Sequence, residues 1–359
     1  MKLVIPIGNQ HSYNVIPRNR DLKLKIKNRC NAPSKTLLVD MHGNCFVCSC
    51  ESWLPITVGV ITDFASLDDV WNHPVAEKLQ ADIDAGLFDN CAVTRCGIQH
   101  GDLIQEEYTI SINLDPSCNL RCPSCRTEAL MITSGPVYEE RLAMTNHLVD
   151  LLEKFDKPCR IIMSGNGDPL ASAIMRPLVH RFRPKQNQFI KLFTNGLLLR
   201  KQLTDNPVVA HINEYLMSID AGSKEVYEKV RLGGQWDQLI DNFEFLKENA
   251  HPDAQIAVTM VIQKDNWRDI ENFFRLALDY GFHGSITKLE DWGTWKDFAQ
   301  QDVLNPAHPE YAEVVAELNR CYLVLEDYII GGAISIAPGL NEYIDLVKVQ
   351  QAKEIDPAN

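Results

Sequence analysis

From about residue 106 the chain alternates short apolar runs with amphipathic stretches, and few architectures accept that alternation. The apolar runs fall at 108–114, 160–163, 189–193, 214–219, 256–262 and 284–288. Between them, Glu139 to Phe155 places Met144, Leu148, Leu151, Leu152 and Phe155 on one helical face. Trp267 to Tyr280 repeats the pattern with Ile270, Phe273, Phe274 and Leu278. Short strands separated by helices imply βαβ units and a parallel sheet. Crossovers of one hand curl such a sheet. The expected fold class is therefore α/β, an open or partial (β/α)6 barrel.

At 359 residues, 45% of them hydrophobic, the chain can build a full core, and two domains are the prior. It contains no apolar run of about eighteen residues, so no membrane span is expected. The opening Met-Lys-Leu-Val-Ile-Pro-Ile-Gly-Asn-Gln is too short and too soon interrupted for a signal peptide, and a cytoplasmic protein is expected. There the thiol pool disfavours disulfides. The eleven cysteines cluster as Cys30, Cys45, Cys48, Cys50, Cys91 and Cys96, then Cys118, Cys122 and Cys125, with only Cys159 and Cys321 apart. Such clustering reads as metal binding. A formal charge of −13 excludes broad nucleic-acid affinity, which depends on Lys and Arg at phosphates. The basic stretch from Arg176 to Lys185 reads as a solvated helix end.

Cys118, Cys122 and Cys125 have the spacing Cys-x3-Cys-x2-Cys, directly after the first apolar run. In barrels of this kind function sits at the C-terminal ends of strands. Iron–sulfur clusters are normally held by four cysteines, so three thiolates leave one iron of a cube open to a small molecule. Zinc with a fourth ligand from elsewhere is the alternative. Further segments end later strands: Ser164-Gly-Asn-Gly-Asp-Pro169, Thr194-Asn-Gly196 and Ser218-Ile-Asp220. Ser218 and Asp220 at i, i+2 share a strand face, and a hydroxyl beside a carboxylate suits a diol. Taken singly, Gly165 and Gly167 read as turn formers, and Asp220 as a cap or turn residue.

Together these segments, in this order, resemble the radical S-adenosylmethionine (radical SAM) enzymes. The resemblance implies that Cys118, Cys122 and Cys125 hold a 4Fe-4S cluster whose fourth iron takes the amino and carboxylate groups of S-adenosylmethionine. An electron from the cluster would break the sulfonium bond to C5′, and the 5′-deoxyadenosyl radical would take a hydrogen from substrate. The cofactors carry the hard step, and the protein supplies binding and orientation. A one-electron donor such as flavodoxin or ferredoxin is implied. Asn166, Gly167, Asp168 and Pro169 resemble the Gly-Gly-Glu-Pro segment that holds the methionyl ammonium. Asp for Glu shortens the reach and shifts weight to the backbone of Asn166 and Gly167. Ser218 and Asp220 match the ribose-binding end, and the planar fork of Arg231 suits the cofactor carboxylate. Ser124 stands where many family loops carry an aromatic, so Leu120 or residues of the fifth strand would take the adenine contact.

The earlier cysteines carry a second resemblance. Thr36 to Asp40 and Cys45 to Cys48 read as short strands around a turn at His42-Gly43-Asn44, a helix follows from Asp68 to Ala85, and Gly97 to Gly101 reads as a linker. The order Cys30-x12-Gly43-x4-Cys48, then Cys91-x4-Cys96, with Val60-Ile-Thr and Ser66 to Trp71, resembles the SPASM/twitch module, which usually follows the barrel rather than preceding it. It implies Cys30, Cys48, Cys91 and Cys96 as ligands of a second, auxiliary 4Fe-4S cluster. Cys45 and Cys50 are spare, with Cys50 able to replace Cys48. A structural zinc site satisfies the same four thiols. The expected division is an extension (1–29), a small cysteine-rich cluster domain (30–101), a TIM-like partial barrel (102–300) and a C-terminal helical extension (301–359). Cys159 reads as a small buried hydrophobe. Cys321 reads as core packing, with a catalytic hydrogen-donor thiol as its functional alternative. Leu289 to Trp295, ending the sixth strand, is a candidate pocket wall. The expected function is hydrogen abstraction from a peptide or protein, with dehydrogenation of a small alcohol second. A non-catalytic iron–sulfur or zinc protein is third, and Asn166, Gly167, Ser218 and Asp220 argue against it.

Overall fold

A computed structural model describes residues 17–164 and 166–345. The first sixteen residues of the expected extension, Gly165, and the tail from 346 lie outside the described residues. The chain forms two compact units. One comprises Met1–Cys118, Leu130–Phe193 and Gln202–Asn213, and the other Asn119–Ala129, Thr194–Lys201 and Glu214–Asn359.

The first unit begins with α1 (Asn19–Leu22), α2 (Ala32–Lys35), β1 (Thr36–Val39), β2 (Asn44–Phe46) and β3 (Thr57–Val60). The helix expected over 68–85 is two helices, α3 (Leu67–Trp71) and α4 (Pro74–Asp84). Pro74 opens α4 and has no N–H with which to continue α3. Then come β4 (Tyr108–Ile112), α5 (Pro136–Lys154), β5 (Cys159–Met163) and β6 (Gln188–Thr194). The strand order within this unit is β6-β5-β4-β1-β2-β3. β6, β5, β4 and β1 run parallel, and β2 and β3 are antiparallel additions. The cysteine-rich segment thus adds its strands to the sheet that contains β4, with Thr36 to Val39 opposite Thr109 to Ile112. Leu37, Val39, Ile110, Ile112 and Ile161 are fully buried, as expected where a parallel sheet is covered on both faces. Met144, Leu148, Leu151 and Leu152 of α5 are buried too, and each such side chain contributes roughly 1.5–3 kcal/mol.

The second unit is built on α6 (Leu199–Leu203), β7 (Ile212–Ser218), α7 (Lys224–Val230), α8 (Trp236–Asn249), β8 (Gln255–Ile262), α9 (Ile270–Tyr280), β9 (His283–Lys288), α10 (Tyr311–Ile330) and β10 (Ile334–Ile336). β7, β8, β9 and β10 pair in parallel, in that order. Gly281, at φ +69, ends α9 in the left-handed cap that glycine favours. The six strands expected from sequence are β4 to β9, with ends within two residues. β10 is an addition: α10 and β10 repeat the helix–strand step in a stretch without strong patterning. The fold is mixed α/β and rich in parallel strands, consistent with a partial TIM-like barrel. Among the described residues no helix is long and apolar enough to cross a membrane.

Candidate metal centres

The three-cysteine loop leaves β4 through Asp115, Pro116 and Ser117. In the first unit its two ends are fastened together. The Cys118 N–H donates to the Leu130 carbonyl at 2.9 Å, and Ser117 Oγ accepts the Ile132 N–H at 2.9 Å. The segment after β5 presses on the same stretch. A Cβ on Gly167 would lie 2.1 Å from the Ser117 carbonyl oxygen and 2.6 Å from the Pro116 carbonyl carbon, so only glycine fits there. The Asp168 N–H donates to that Ser117 oxygen at 2.8 Å. The Asp168 carboxylate turns into its own turn and accepts the N–H groups of Leu170 at 2.9 Å and Ala171 at 3.3 Å. It is 3% exposed, whereas Asn166 is exposed. The close approach to the cysteine loop is therefore made by backbone, at Gly167 and Asp168.

In the second unit, Thr194-Asn-Gly196 clamps the loop at Asn119. Asn195 Nδ2 donates to Asn119 Oδ1 at 2.9 Å, and Asn195 Oδ1 accepts the Leu197 N–H at 3.1 Å. The Arg121 N–H donates to the Leu232 carbonyl at 3.1 Å. The Cys122 carbonyl accepts the N–H groups of Cys125 at 2.9 Å and Arg126 at 3.0 Å. Cys122 is buried and Cys125 exposed. Each faces a guanidinium: Arg231 Nη1 donates to Cys122 Sγ at 3.6 Å and Arg126 Nη2 to Cys125 Sγ at 3.8 Å. Burial pushes the Cys122 thiol up, and Arg231 opposes the shift.

Asp220 does not continue the strand. β7 ends at Ser218, and Asp220 has φ +58, a left-handed conformation unusual outside glycine. The expectation that Ser218 and Asp220 share a strand face fails because alternation stops one residue earlier. The Asp220 carboxylate instead meets Arg231 at 3.0 Å and accepts the Val261 N–H at 2.9 Å. Arg231 thus faces a carboxylate of the protein itself. Ser218 is half-buried, and its Oγ accepts from the Thr259 hydroxyl at 3.4 Å.

The earlier cysteines behave differently. Cys30, Cys48, Cys91 and Cys96 line one cavity of about 460 Å³, with Trp53, Ile83, Phe88 and Ile98 among its apolar walls. Cys30 is bridged to Leu103, and the Asn31 amide both accepts from and donates to the Gln105 backbone at 2.8 Å. The Ala92 N–H donates to the Trp53 carbonyl at 2.8 Å, which ties the Cys91 turn to the segment after Cys48. Backbone N–H groups face three of the sulfurs: Ala32 at Cys30, Ser49 and Cys50 at Cys48, and Ile98 at Cys96. Burial pushes Cys48 up to about 11 and Cys91 to about 12, and the neighbouring thiols add to both shifts. Metal ligation needs thiolates, so a bound cationic centre would relieve a repulsion this geometry builds in. Among the described residues no three Cys, His, Asp or Glu side chains stand grouped for a single metal ion. By residue type the donor set fits a four-cysteine cluster, and a closed zinc site would need the same four thiols grouped about one ion. Cys45 and Cys50 lie off the cavity. The Cys45 thiol is buried at 3.8 Å from the Gly43 carbonyl oxygen, and Cys50 Sγ lies 2.9 Å from Ser52 Oγ.

The remaining candidates have local partners. Cys159 is fully buried, and burial pushes its thiol up to about 12. The Cys321 thiol donates to Glu317 on its own helix at 3.3 Å. Trp292 is exposed, in the loop after β9. Arg181 pairs with Asp150, and Arg183 donates to the carbonyls of His180, Arg181 and Phe182. The Asn119–Asn195 clamp, Thr259 and Arg126 were not foreseen. The Thr-Asn-Gly turn was visible in sequence, but no local signal names the partner of its asparagine.

A three-cysteine loop after a parallel strand, approached by a glycine-dependent segment from the next, stands at the strand ends where an α/β enzyme of this class carries its function. Residues 112–277 match the Radical SAM superfamily, a family of enzymes, and form a Radical SAM domain within the chain. It is similar to the AdoMet-dependent heme synthase of Methanosarcina barkeri, 26% identical over 173 residues, covering 48% of this chain and 47% of the relative. It is also similar to mycofactocin maturase MftC of Mycolicibacterium smegmatis, 24% identical over 217 residues, covering 60% of this chain and 52% of the relative. The chain spans about half the length of these curated relatives. Among solved structures, Streptococcus suis SuiB bound to S-adenosylmethionine aligns with 64% of this chain and 49% of its own, at TM-score 0.41 and 15% identity.

Proposed function

We propose that the chain cleaves S-adenosylmethionine reductively and abstracts a hydrogen from a peptide or protein substrate. In this reading Cys118, Cys122 and Cys125 hold the 4Fe-4S cluster that binds S-adenosylmethionine, and Cys30, Cys48, Cys91 and Cys96 hold an auxiliary 4Fe-4S cluster in a domain of SPASM/twitch type. When bound, the first cluster and its cofactor supply one-electron cleavage of a sulfonium and hydrogen abstraction. The backbone at Asn166 and Gly167 would receive the methionyl ammonium. Ser218 would meet the ribose, and the buried Asp220 and Asp168 would hold those two strand ends in shape. The observation that carries the substrate class is the four-thiol cavity, because the module it resembles is common in peptide-modifying members of the family. An auxiliary cluster there would accept the electron left on the substrate after hydrogen loss. An outside flavodoxin or ferredoxin would reduce the first cluster.

The second reading is oxidation of a small molecule. The similarity to proteins named AdoMet-dependent heme synthase and probable GTP 3′,8-cyclase favours the small-molecule part of that reading. Anaerobically reconstituted, reduced protein is expected to release 5′-deoxyadenosine from S-adenosylmethionine. Short peptides, but not small alcohols, should accelerate that release and lose hydrogen. Acceleration by alcohols alone selects the second reading, and no 5′-deoxyadenosine from iron-loaded protein defeats both.

A further inference from the structure

Arg231 is built into the second unit more firmly than a cofactor-binding arginine requires. Its guanidinium meets the Asp220 carboxylate at 3.0 Å, with side-chain exposures of 11% and 2%. Asp220 holds a strained φ of +58. That strain is secured twice: the Val261 N–H donates to its carboxylate at 2.9 Å, and Asn266 Nδ2 donates to its carbonyl at 2.9 Å. The same Asn266 amide also donates to the Val261 carbonyl at 2.9 Å. Backbone strain kept by such surroundings marks a positioned side chain, and here it aims a carboxylate at Arg231. The guanidinium in turn donates to Cys122 Sγ at 3.6 Å. Arginine keeps its charge in proteins, so Arg231 is a cation beside Cys122. Its Nε–H has no acceptor among the described residues. A buried ion pair adds little stability for its own sake, so this geometry needs another reason.

A reduced cluster carries one more negative charge than an oxidised one. Cluster potentials follow net charge, hydrogen bonds to sulfur and exposure to solvent. A fixed cation bonded to a ligand sulfur therefore favours the reduced form. We propose that Arg231 is a positioning residue that raises the reduction potential of the cluster on Cys118, Cys122 and Cys125, with Asp220 holding its guanidinium at Cys122. This rests on the radical SAM reading of the three-cysteine loop. The redox step is the uptake of one electron by the cluster from an external one-electron donor, and no bond at Arg231 forms or breaks. Arg126 at the exposed Cys125 acts in the same direction but more weakly, because solvent screens it.

The test is a potentiometric titration of the full-length protein, reconstituted with iron and sulfide and free of S-adenosylmethionine. The signal belonging to the loop cluster is identified afterwards as the one that changes when S-adenosylmethionine is added. Arg231→Met is expected to shift that midpoint negatively, changing the reduced-to-oxidised ratio at fixed potential about tenfold, or about 59 mV for a one-electron couple. Arg231→Lys should restore part of the shift, and Arg126→Ala should show the least. An arginine that served only the cofactor carboxylate would leave the midpoint untouched, and so would one that only stabilised the fold. An iron-loaded Arg231→Met protein with the wild-type midpoint therefore overturns the proposal. If that variant does not load, an unchanged midpoint in Arg231→Gln overturns it. Wild-type protein whose iron content equals that of the Cys118→Ala/Cys122→Ala/Cys125→Ala variant defeats the underlying site reading instead, and iron analysis separates that outcome from the first.

Discussion

The two groups of cysteines meet the same difficulty, thiols held away from water, in opposite ways. Around Cys30, Cys48 and Cys96 the donors facing sulfur are backbone amides, neutral and fixed by turns. Around Cys122 and Cys125 they are guanidiniums, charged and carried on side chains. The first group surrounds a shared apolar cavity. The loop includes one exposed thiol and is clamped at its base. Four thiols around one cavity, three of them solvated by neutral amides, suit a centre that is complete in itself. Three thiols, two of them facing cations, suit a centre that must be reduced and must keep a position for a second molecule. Donor type thus separates a proposed electron store from a proposed reaction centre, where the number of cysteines alone would only hint at the difference.

The largest effect should come from emptying one group at a time. Cys118→Ala/Cys122→Ala/Cys125→Ala is expected to reduce iron from about eight to about four atoms per chain and 5′-deoxyadenosine to background. Cys91→Ala should remove a similar share of iron yet leave S-adenosylmethionine cleavage detectable. Iron and sulfide assays with product chromatography check both, and loss of all iron in either variant breaks the comparison.

Gly167→Ala tests whether the loop depends on backbone approach. Its Cβ would meet the Ser117 oxygen at 2.1 Å, and overpacking of this kind costs up to about 3 kcal/mol. Urea titration should show that loss, with lower iron occupancy in the loop and unchanged occupancy at the four-thiol cavity. The smallest effect concerns Cys159, a lone thiol outside both groups. It sits at about 12 against an ordinary 9.0. Below pH 9 folded and unfolded chains both keep the proton. Above it the unfolded chain releases the proton first, so stability falls as pH rises from about 9 to about 12. At pH 10 this costs wild type about 1.4 kcal/mol relative to its neutral-pH value. Cys159→Ala should lack that component, as denaturation at pH 8 and pH 10 would show.

Much of this architecture was readable beforehand, because hydrophobic periodicity is local. β4 to β9 sit where alternating apolar runs put them, and the cysteine spacing announced the loop. What escaped was set by distant partners. Nothing near Thr36 says that β1 will lie beside β4 across some seventy residues of sequence. No neighbour of Asp220 announces a left-handed backbone, and without it the residue reads as one more strand position aimed at a ribose. Arg231 reads in the sequence as an arginine for a cofactor carboxylate, and nothing near it announces the carboxylate of Asp220 that it meets within the chain. β10 is too short for periodicity to register, and its place beside β9 follows from α10 carrying the chain back.

The parallel pairing of β1 with β4 bears on how this enzyme can be dissected. A fragment beginning near residue 102 would keep the loop cysteines but strip β4 of its neighbour. Its row of unpaired amides would recruit other chains. Such a fragment should precipitate before it could be assayed. The amino-terminal third is therefore scaffolding for the reaction loop, whatever metal it carries, and trimming to a minimal catalytic core must spare it.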